Sequence, residues 1–233
     1  MTSFGSRVFA LCPASVDFSS FTEMCQAGRE QCFPLILEKV AKRNLNGTII
    51  LRVRATGELE GKQSELIFDI YNRLSGGKHL FPPAVGFLLD QEGRDEKQID
   101  DFRRRSLDKI KFLPRRMYEN YLLLPEAIAF VINDNDDPEQ LNVSAADVEE
   151  WIAEKGKSER YLKIKKENLI QGWREQVDAS KLLKALFSEL SDARVQFSKP
   201  KHSLQLTKWI IEHKPHHLQD LADFLSELIT ENP

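Results

Sequence analysis

The sequence lacks any apolar run near the about 20 residues that a membrane-spanning helix needs, and no basic N-terminal segment leads into an apolar core. We therefore expect neither a transmembrane anchor nor a signal peptide, and no membrane partner. There are three cysteines, Cys12, Cys25 and Cys32, and none forms a Cys-x-x-Cys pair. This usage argues against a disulfide framework and predicts a reducing, cytoplasmic location.

Several motifs that define enzyme classes are also missing. No Gly-x-x-x-x-Gly-Lys-Ser/Thr loop occurs, because Gly61-Lys62 and Gly77-Lys78 lack the upstream glycine and the following hydroxyl residue. No spacing favours a Ser-His-Asp or Cys-His nucleophile. The acidic loop 133–138 lacks the glycine and distal glutamate of an EF-hand and is interpreted as a linker. His213, His216 and His217 have no nearby cysteine and give only a weak zinc signal.

The composition is that of an ordinary globular protein. The chain has 233 residues, of which 41% are hydrophobic and 30% charged, which suits one large domain or a core domain with an extension. The net charge of −3 argues against a bulk polycation. A local basic face would still suffice to bind the phosphates of a nucleic acid.

Strand patterns alternate with helical stripes through the first half of the chain. Predicted strands cover Thr48–Val53, Ala84–Leu89 and Lys109–Leu113, with Arg7–Cys12 as a further short candidate. This rhythm predicts an α/β fold with a mainly parallel sheet flanked by helices. Predicted helices around these strands begin near Pro34 and cover residues 66–74 and 95–107.

The second half is predicted to be helical. Ser144 has a capping pattern with Asp147, and leucine-rich stripes follow, which predicts an α-helical C-terminal extension. We place a domain boundary in the acidic loop. The predicted domains are 1–138, with 1–28 poorly defined, and 139–233.

The most informative stretch is Ala84–Glu92, in which an apolar run leads into Asp90 and Glu92. An unbroken apolar run fits a strand buried on both faces, and residues two apart point to one side of a strand. At the carboxyl edge of a parallel sheet, the two carboxylates could hold a hard divalent cation. The alternative is a strand that ends in a plain polar turn.

A locally basic segment, Arg94–Arg116, follows this strand with nine Lys or Arg residues against five acids. These cations could bind the phosphates of a substrate, with Arg115 and Arg116 as the best candidates. The alternative is a solvated helix face. Similar alternatives apply to two tyrosines, Tyr118 and Tyr121, which could stack on bases or simply pack in the core.

Five segments together resemble one family. They read Phe-Leu-Leu-Asp-Gln-Glu (87–92), Leu-Pro-Arg-Arg-Met-Tyr-Glu-Asn-Tyr-Leu-Leu (113–123), Pro-Glu-Ala-Ile (125–128), Val-Asp-Ala-Ser-Lys-Leu-Leu-Lys-Ala-Leu-Phe (177–187) and Lys-Pro-Lys-His-Ser (199–203). The chain from Gly28 onward resembles the TOPRIM nuclease region of OLD-family (overcoming lysogenization defect) ATP-dependent endonucleases. The Arg-Arg-x-x-Glu-Asn-Tyr-Leu-Leu block is the most distinctive part.

The resemblance implies a TOPRIM-like fold and a set of site residues. Asp90, Glu92 and Glu119 would be the catalytic residues and the ligands of Mg²⁺ or Mn²⁺. DNA phosphates would be bound by Arg94, Arg115, Arg116 and Lys201. Lys199 and His202 could assist as charge neutralisers, or could simply be loop residues at the surface.

The same resemblance implies DNA and an ABC/AAA-type ATPase as partners. Because no phosphate-binding loop is present, that ATPase would be a separate chain or a missing N-terminal domain. A homodimer is a further possible assembly.

Two departures from the family pattern leave two functions open. Where a Glu-Gly pair is expected before the first long helix, this chain has Ala27-Gly28, and Glu92 replaces an aspartate. One hypothesis is a magnesium-dependent DNA endonuclease or nicking subunit in phage or plasmid defence. The other is a catalytically degenerate TOPRIM-like binding or scaffold module that docks an ATPase.

Overall fold

A computed structural model describes residues 7–12, 29–45, 48–52, 84–91, 94–105, 110–140, 142–162 and 172–231. Its sheet has four strands, β1 (Arg7–Cys12), β2 (Thr48–Arg52), β3 (Ala84–Leu89) and β4 (Ile110–Phe112). They lie in the order β2-β1-β3-β4, and each neighbouring pair is parallel. The predicted parallel α/β sheet is therefore confirmed.

The strand predictions are accurate to about one residue at each described end. β3 has the predicted bounds, while β4 ends at Phe112, one residue earlier than predicted. Leu113 nevertheless continues the pairing, because its N–H donates to the Leu89 carbonyl at 2.8 Å. Val53 and Lys109 lie outside the described residues.

Three described helices accompany the sheet along the chain: α1 (Arg29–Lys39), α2 (Glu96–Arg105) and, at the C-terminus, α8 (Gln219–Glu231). The predicted start of α1 near Pro34 is wrong, because the helix begins at Arg29 and contains this proline. Proline lacks the N–H that would bond within the helix, so packing of the buried Phe33, Ile36 and Leu37 must offset that loss. The predicted helix 66–74 lies outside the described residues.

The chain divides into two compact units. The first comprises Met1–Met24, Phe33–Pro114 and Gln219–Pro233, and therefore contains the sheet. The second comprises Cys25–Cys32 and Arg115–Leu218. These units do not follow the boundary expected after residue 138. Since compactness does not establish independent folding, the predicted domain division stays a prediction.

The second unit is helical. Its described residues include the 3-10 helices Tyr118–Leu122 and Pro215–Leu218 and the α-helices α3 (Pro125–Asn135), α4 (Ala145–Lys155), α5 (Trp173–Gln176), α6 (Ala179–Leu190) and α7 (Lys199–His213). The predicted cap of α4 is confirmed, since Ser144 Oγ accepts from the Asp147 N–H at 3.2 Å. In the part of the chain that is described, no helix is both long and apolar enough to cross a membrane.

The leucine stripes of the predicted C-terminal extension are largely buried, and they belong to both units. Leu183 and Leu186 are buried in the second unit, whereas Leu190 is half-buried. Leu221 and Leu225 are buried as well, yet α8 belongs to the unit that contains the sheet. Helical periodicity identifies the face that is buried and does not identify the element that covers it.

We expect Leu186→Ala to lower the free energy of unfolding by about 2–5 kcal/mol, because the side chain is fully buried and truncation leaves a cavity. Urea denaturation measures this change. Leu190→Ala, at the half-buried end of the same helix, should cost clearly less. Equal losses in the two variants would contradict the burial of this stripe.

Candidate functional site

Asp90 lies at the carboxyl end of β3, the position where open α/β sheets bind ligands. β1 pairs with β2 on one side and with β3 on the other, so the strand order reverses direction between β1 and β3. Ligands of such sheets bind outside the carboxyl ends of the strands at this switch point. Asp90 follows the last residue of β3 directly and is only 3% exposed. A buried carboxylate therefore occupies the sheet's preferred binding edge.

Hydrogen bonds fix the backbone around Asp90. The Gln91 amide donates to the carbonyls of Leu113 and Pro114, at 2.7 and 3.0 Å, and so ties the end of β3 to the end of β4. Arg94 Nη1 donates to the carbonyl of Asp90 at 3.2 Å. The sequence alone indicated only that Gln91 could be part of a polar turn. In the structure, its side chain joins the ends of β3 and β4.

The sequence at the neighbouring strand end supplies no acid. β1 ends at Cys12, which lies opposite Leu89, and the sequence continues with Pro13 and Ala14. α1 begins at Arg29, so in the sequence Ala27-Gly28 directly precedes the first described helix, where a Glu-Gly pair was expected. No carboxylate occurs at residues 12–14 of the sequence, so the departure from the family pattern remains.

Glu119 lies in the second unit, in the 3-10 helix, and is 1% exposed. Its Oε1 is 3.5 Å from Nζ of Lys199, the first residue of α7. A cation of the protein itself therefore lies next to this carboxylate. Lys199 therefore contacts a predicted site residue, whereas Lys201 is exposed.

The two arginines of the distinctive block have different surroundings. Arg116 is buried, and its Nη1 donates to the Gln176 carbonyl at 3.0 Å while Nη2 lies 3.9 Å from Asp178. Arg115 is half-buried, and its guanidinium lies 4.2 Å from the centre of the Tyr121 ring. Arg116 therefore holds loops of its own unit, whereas Arg115 lies nearer the surface.

Asn120 was missed by sequence reasoning, although it belongs to the same block. Its amide donates to the carbonyls of Arg174 and Val177 at 2.7 and 2.9 Å, and its oxygen accepts from the Met117 N–H at 2.9 Å. One buried side chain thus joins the 3-10 helix to the region of α5. An asparagine inside an apolar, aromatic run is the signal that could have indicated such a role.

The tyrosines of the block are packed side chains. Both are fully buried, and the Tyr118 hydroxyl lies 2.5 Å from Thr207 Oγ1. Burial raises the pKa of Tyr118 well above its ordinary value, so the phenol stays protonated. Of the two interpretations of Tyr118 and Tyr121, packing is the one their burial supports.

The Lys-Pro-Lys-His-Ser segment opens a helix, so its interpretation as a surface loop is wrong. Pro200 occupies the first turn of α7, where its missing N–H costs nothing. Lys201 is exposed there, but His202 is buried and stacks on Phe187 with ring centres 5.3 Å apart. His202 is therefore a core residue of the second unit.

The predicted site residues fall into both units. Asp90 and Arg94 belong to the unit with the sheet, whereas Glu119, Arg115, Arg116 and Lys201 belong to the helical unit. Glu92 lies outside the described residues. Among the residues that are described, no group of three or more His, Cys, Asp or Glu side chains is arranged to hold a metal ion. The convergence of the three predicted metal ligands stays a prediction.

Comparisons with known proteins find similarity to a solved structure. No protein-family model matches the chain, and no curated protein matches it either. The C-terminal region of the Xanthomonas campestris pv. campestris OLD protein is similar to it at 13% identity and a TM-score of 0.45, covering 95% of this chain and 96% of that chain. A likeness at this level does not establish a function.

We expect Arg116→Gln to lower the free energy of unfolding by about 3 kcal/mol, because it leaves buried carbonyls and Asp178 without their buried cation. Arg115→Gln should cost less than about 1 kcal/mol, since its contacts are closer to solvent. Chemical denaturation of both variants measures the difference. A larger loss for Arg115→Gln would contradict the assignment.

His202 makes the stability depend on pH. Its Nδ1 accepts from the Ser198 N–H at 2.8 Å, and burial, with a smaller effect of Lys201, lowers its pKa to about 4. Unfolded histidine has a pKa of about 6.5, so the unfolded chain binds more protons between these values. Stability should be full above about pH 6.5 and fall toward pH 4, by up to about 1.4 kcal/mol per pH unit.

Urea unfolding of wild type and His202→Gln from pH 7 to pH 4.5 tests this expectation. The variant should be less stable at pH 7 and should lose less stability than wild type on acidification. His213→Gln is the matched control, because His213 is exposed and stacks on Trp209. Parallel pH profiles for wild type and His202→Gln would contradict the assignment.

Proposed function

We propose that this chain is the TOPRIM-like region of an OLD-type defence system and cleaves or nicks DNA with a divalent cation, acting with an ATPase. The main support for this proposal is Asp90, a buried carboxylate at the switch point of a parallel sheet. Glu92 follows two residues further along the chain. Open α/β sheets bind their ligands at this point.

The available oxygen ligands suit magnesium or manganese. Mg²⁺ keeps several waters and is commonly bound by one or two carboxylates together with substrate phosphates. Asp90 and Glu92 would supply those carboxylates, with Glu119 as the third ligand implied by the resemblance. When bound, the cation would supply Lewis-acid stabilisation and a water of lowered pKa.

The arginines divide between binding and structure in this proposal. Arg94 follows the strand that delivers Asp90 and is half-buried, so it would orient a phosphate near the carboxylates. Arg115 and the exposed Lys201 would contact the phosphate backbone. Arg116 is committed to carbonyls of its own unit, and we assign it to structure in place of DNA binding.

The second candidate is a binding or scaffold module that has lost catalysis and docks an ATPase. Two observations favour it. Ala27-Gly28 stands directly before α1 in the sequence, where the resemblance implies Glu-Gly. Lys199 lies 3.5 Å from Glu119 and supplies a positive charge that a metal would otherwise provide. A protein without metal chemistry would tolerate both features.

Metal-dependent stabilisation and plasmid nicking separate these functions. If Asp90 binds a cation, manganese should raise the free energy of unfolding by about 2.7 kcal/mol at a hundredfold excess over Kd. Asp90→Asn should abolish that gain. Asp137→Asn is the control, because Asp137 is exposed and, unlike Asp136, forms no ion pair with Arg194.

Nicking of supercoiled plasmid with manganese should occur with wild type and Asp137→Asn, and should be lost with Asp90→Asn. Stabilisation by manganese without nicking would favour the scaffold. If wild type shows neither effect, then Asp90 is not part of a metal site and the nuclease proposal fails.

A further inference from the structure

Two exposed cations follow α4 in the helical unit, and each lies close to an aromatic ring. Lys157 Nζ is 5.8 Å from the centre of the Trp173 ring, and Arg160 Cζ is 5.7 Å from that of Tyr161. Within the described part of the chain, neither forms an ion pair with a carboxylate. Their charges are therefore available to an external anion.

Trp173 packs on a glycine and lies near two cations, of which Lys157 is exposed and Arg174 is paired with Glu149. A Cβ atom added to Gly156 would come within 2.6 Å of Cη2 of Trp173, so the indole rests directly on this glycine. Arg174 Cζ is 5.7 Å from the same ring. Trp173 as a whole is half-buried. An aromatic ring that is not fully buried therefore lies beside Lys157 and Arg174.

Two of the nearby acids are paired with other cations, and a third, Glu159, lies exposed between Lys157 and Arg160 in the sequence. Lys155 forms a short ion pair with Glu189, and this hydrogen bond, with a second from Trp151, lowers the pKa of Glu189. Glu149 is paired in the same way with Arg174. Lys157 and Arg160 are therefore cations in excess of their neighbours. In the sequence, residues 155–174 contain seven Lys or Arg against two Glu, although the whole chain has a net charge of −3.

We propose that Lys157, Arg160, Trp173 and Arg174 form a binding surface for single-stranded nucleic acid, here called the Trp173 surface. A base would stack on Trp173 while adjacent phosphates contact Lys157 and Arg160. Aromatic stacking combined with a cationic track is the physical basis of single-strand binding. The proposal rests on the proposed function only in the choice of DNA as the polymer.

Fluorescence anisotropy of a labelled oligothymidylate of about 15 nucleotides, measured in EDTA, tests the surface without cleavage. Lys157→Glu/Arg160→Glu should weaken binding about tenfold or more, and should lower the slope of log K against log salt by about 1.4. The control is Lys184→Glu/Lys208→Glu, which changes the charge equally at two exposed lysines of the same unit. It should keep the wild-type slope.

A second pair of variants tests stacking. Trp173→Leu should weaken binding about fivefold or more, whereas Trp173→Phe keeps an aromatic ring and should retain most of the affinity. Trp209→Leu, another half-buried tryptophan of this unit, should bind as wild type does. Circular dichroism and thermal unfolding identify any variant that fails to fold, and the two charge-reversal variants then test the surface.

Four results would overturn the proposal: no binding by wild type, equal losses in the two charge-reversal variants, tighter binding of a duplex of equal length, or binding of anionic vesicles in preference to the oligonucleotide. Loss of nicking by Asp90→Asn with oligonucleotide binding intact would support it. The metal chemistry and the Trp173 surface can therefore fail separately.

Discussion

Parallel pairing of β1 with β3 is the constraint on which the candidate site depends. The two strands run in register from Arg7 opposite Ala84 to Cys12 opposite Leu89, so their carboxyl ends reach the same edge. β2 lies on the other side of β1, and β4 lies on the other side of β3. The chain therefore leads from these two central strands to opposite sides of the sheet, and ligands of such sheets bind at the point between them. Gln91 then ties the ends of β3 and β4 together, which fixes the backbone on which Asp90 is carried.

The helical unit depends on polar side chains buried for their hydrogen bonds. Asn120 and Arg116 both reach carbonyls near α5, and both come from the block that resembles a nuclease motif. A buried polar group without partners is costly, so each such residue fixes the loops that satisfy it. Hydrogen bonds within the helical unit therefore account for much of the Arg-Arg-x-x-Glu-Asn-Tyr-Leu-Leu pattern. Glu119 beside Lys199 is the part of it that retains a candidate role in chemistry.

The sequence was sufficient for the fold class and for the elements with strong periodicity. β3 was predicted to the residue and the cap of α4 was identified, because an apolar run and a capping pattern are local signals. The start of α1 was wrong because tertiary packing overrode the preference of Pro34. Local patterns do not specify contacts with distant segments. They therefore could not indicate the partners of Arg116, the grouping of α8 with the sheet or the burial of His202.

Charge compensation is the physical property that separates a catalyst from a scaffold in this chain. A metal site concentrates carboxylates whose mutual repulsion the cation relieves, so evolution toward a scaffold can remove an acid or add an internal cation. Cys12, Pro13 and Ala14 provide no acid at the end of β1, and Lys199 adds a positive charge at Glu119. Asp90 retains a buried carboxylate at the carboxyl edge of the sheet. The two hypotheses therefore differ in what they ask of Asp90, because a catalyst needs it as a cation ligand, whereas a scaffold needs it only for the fold.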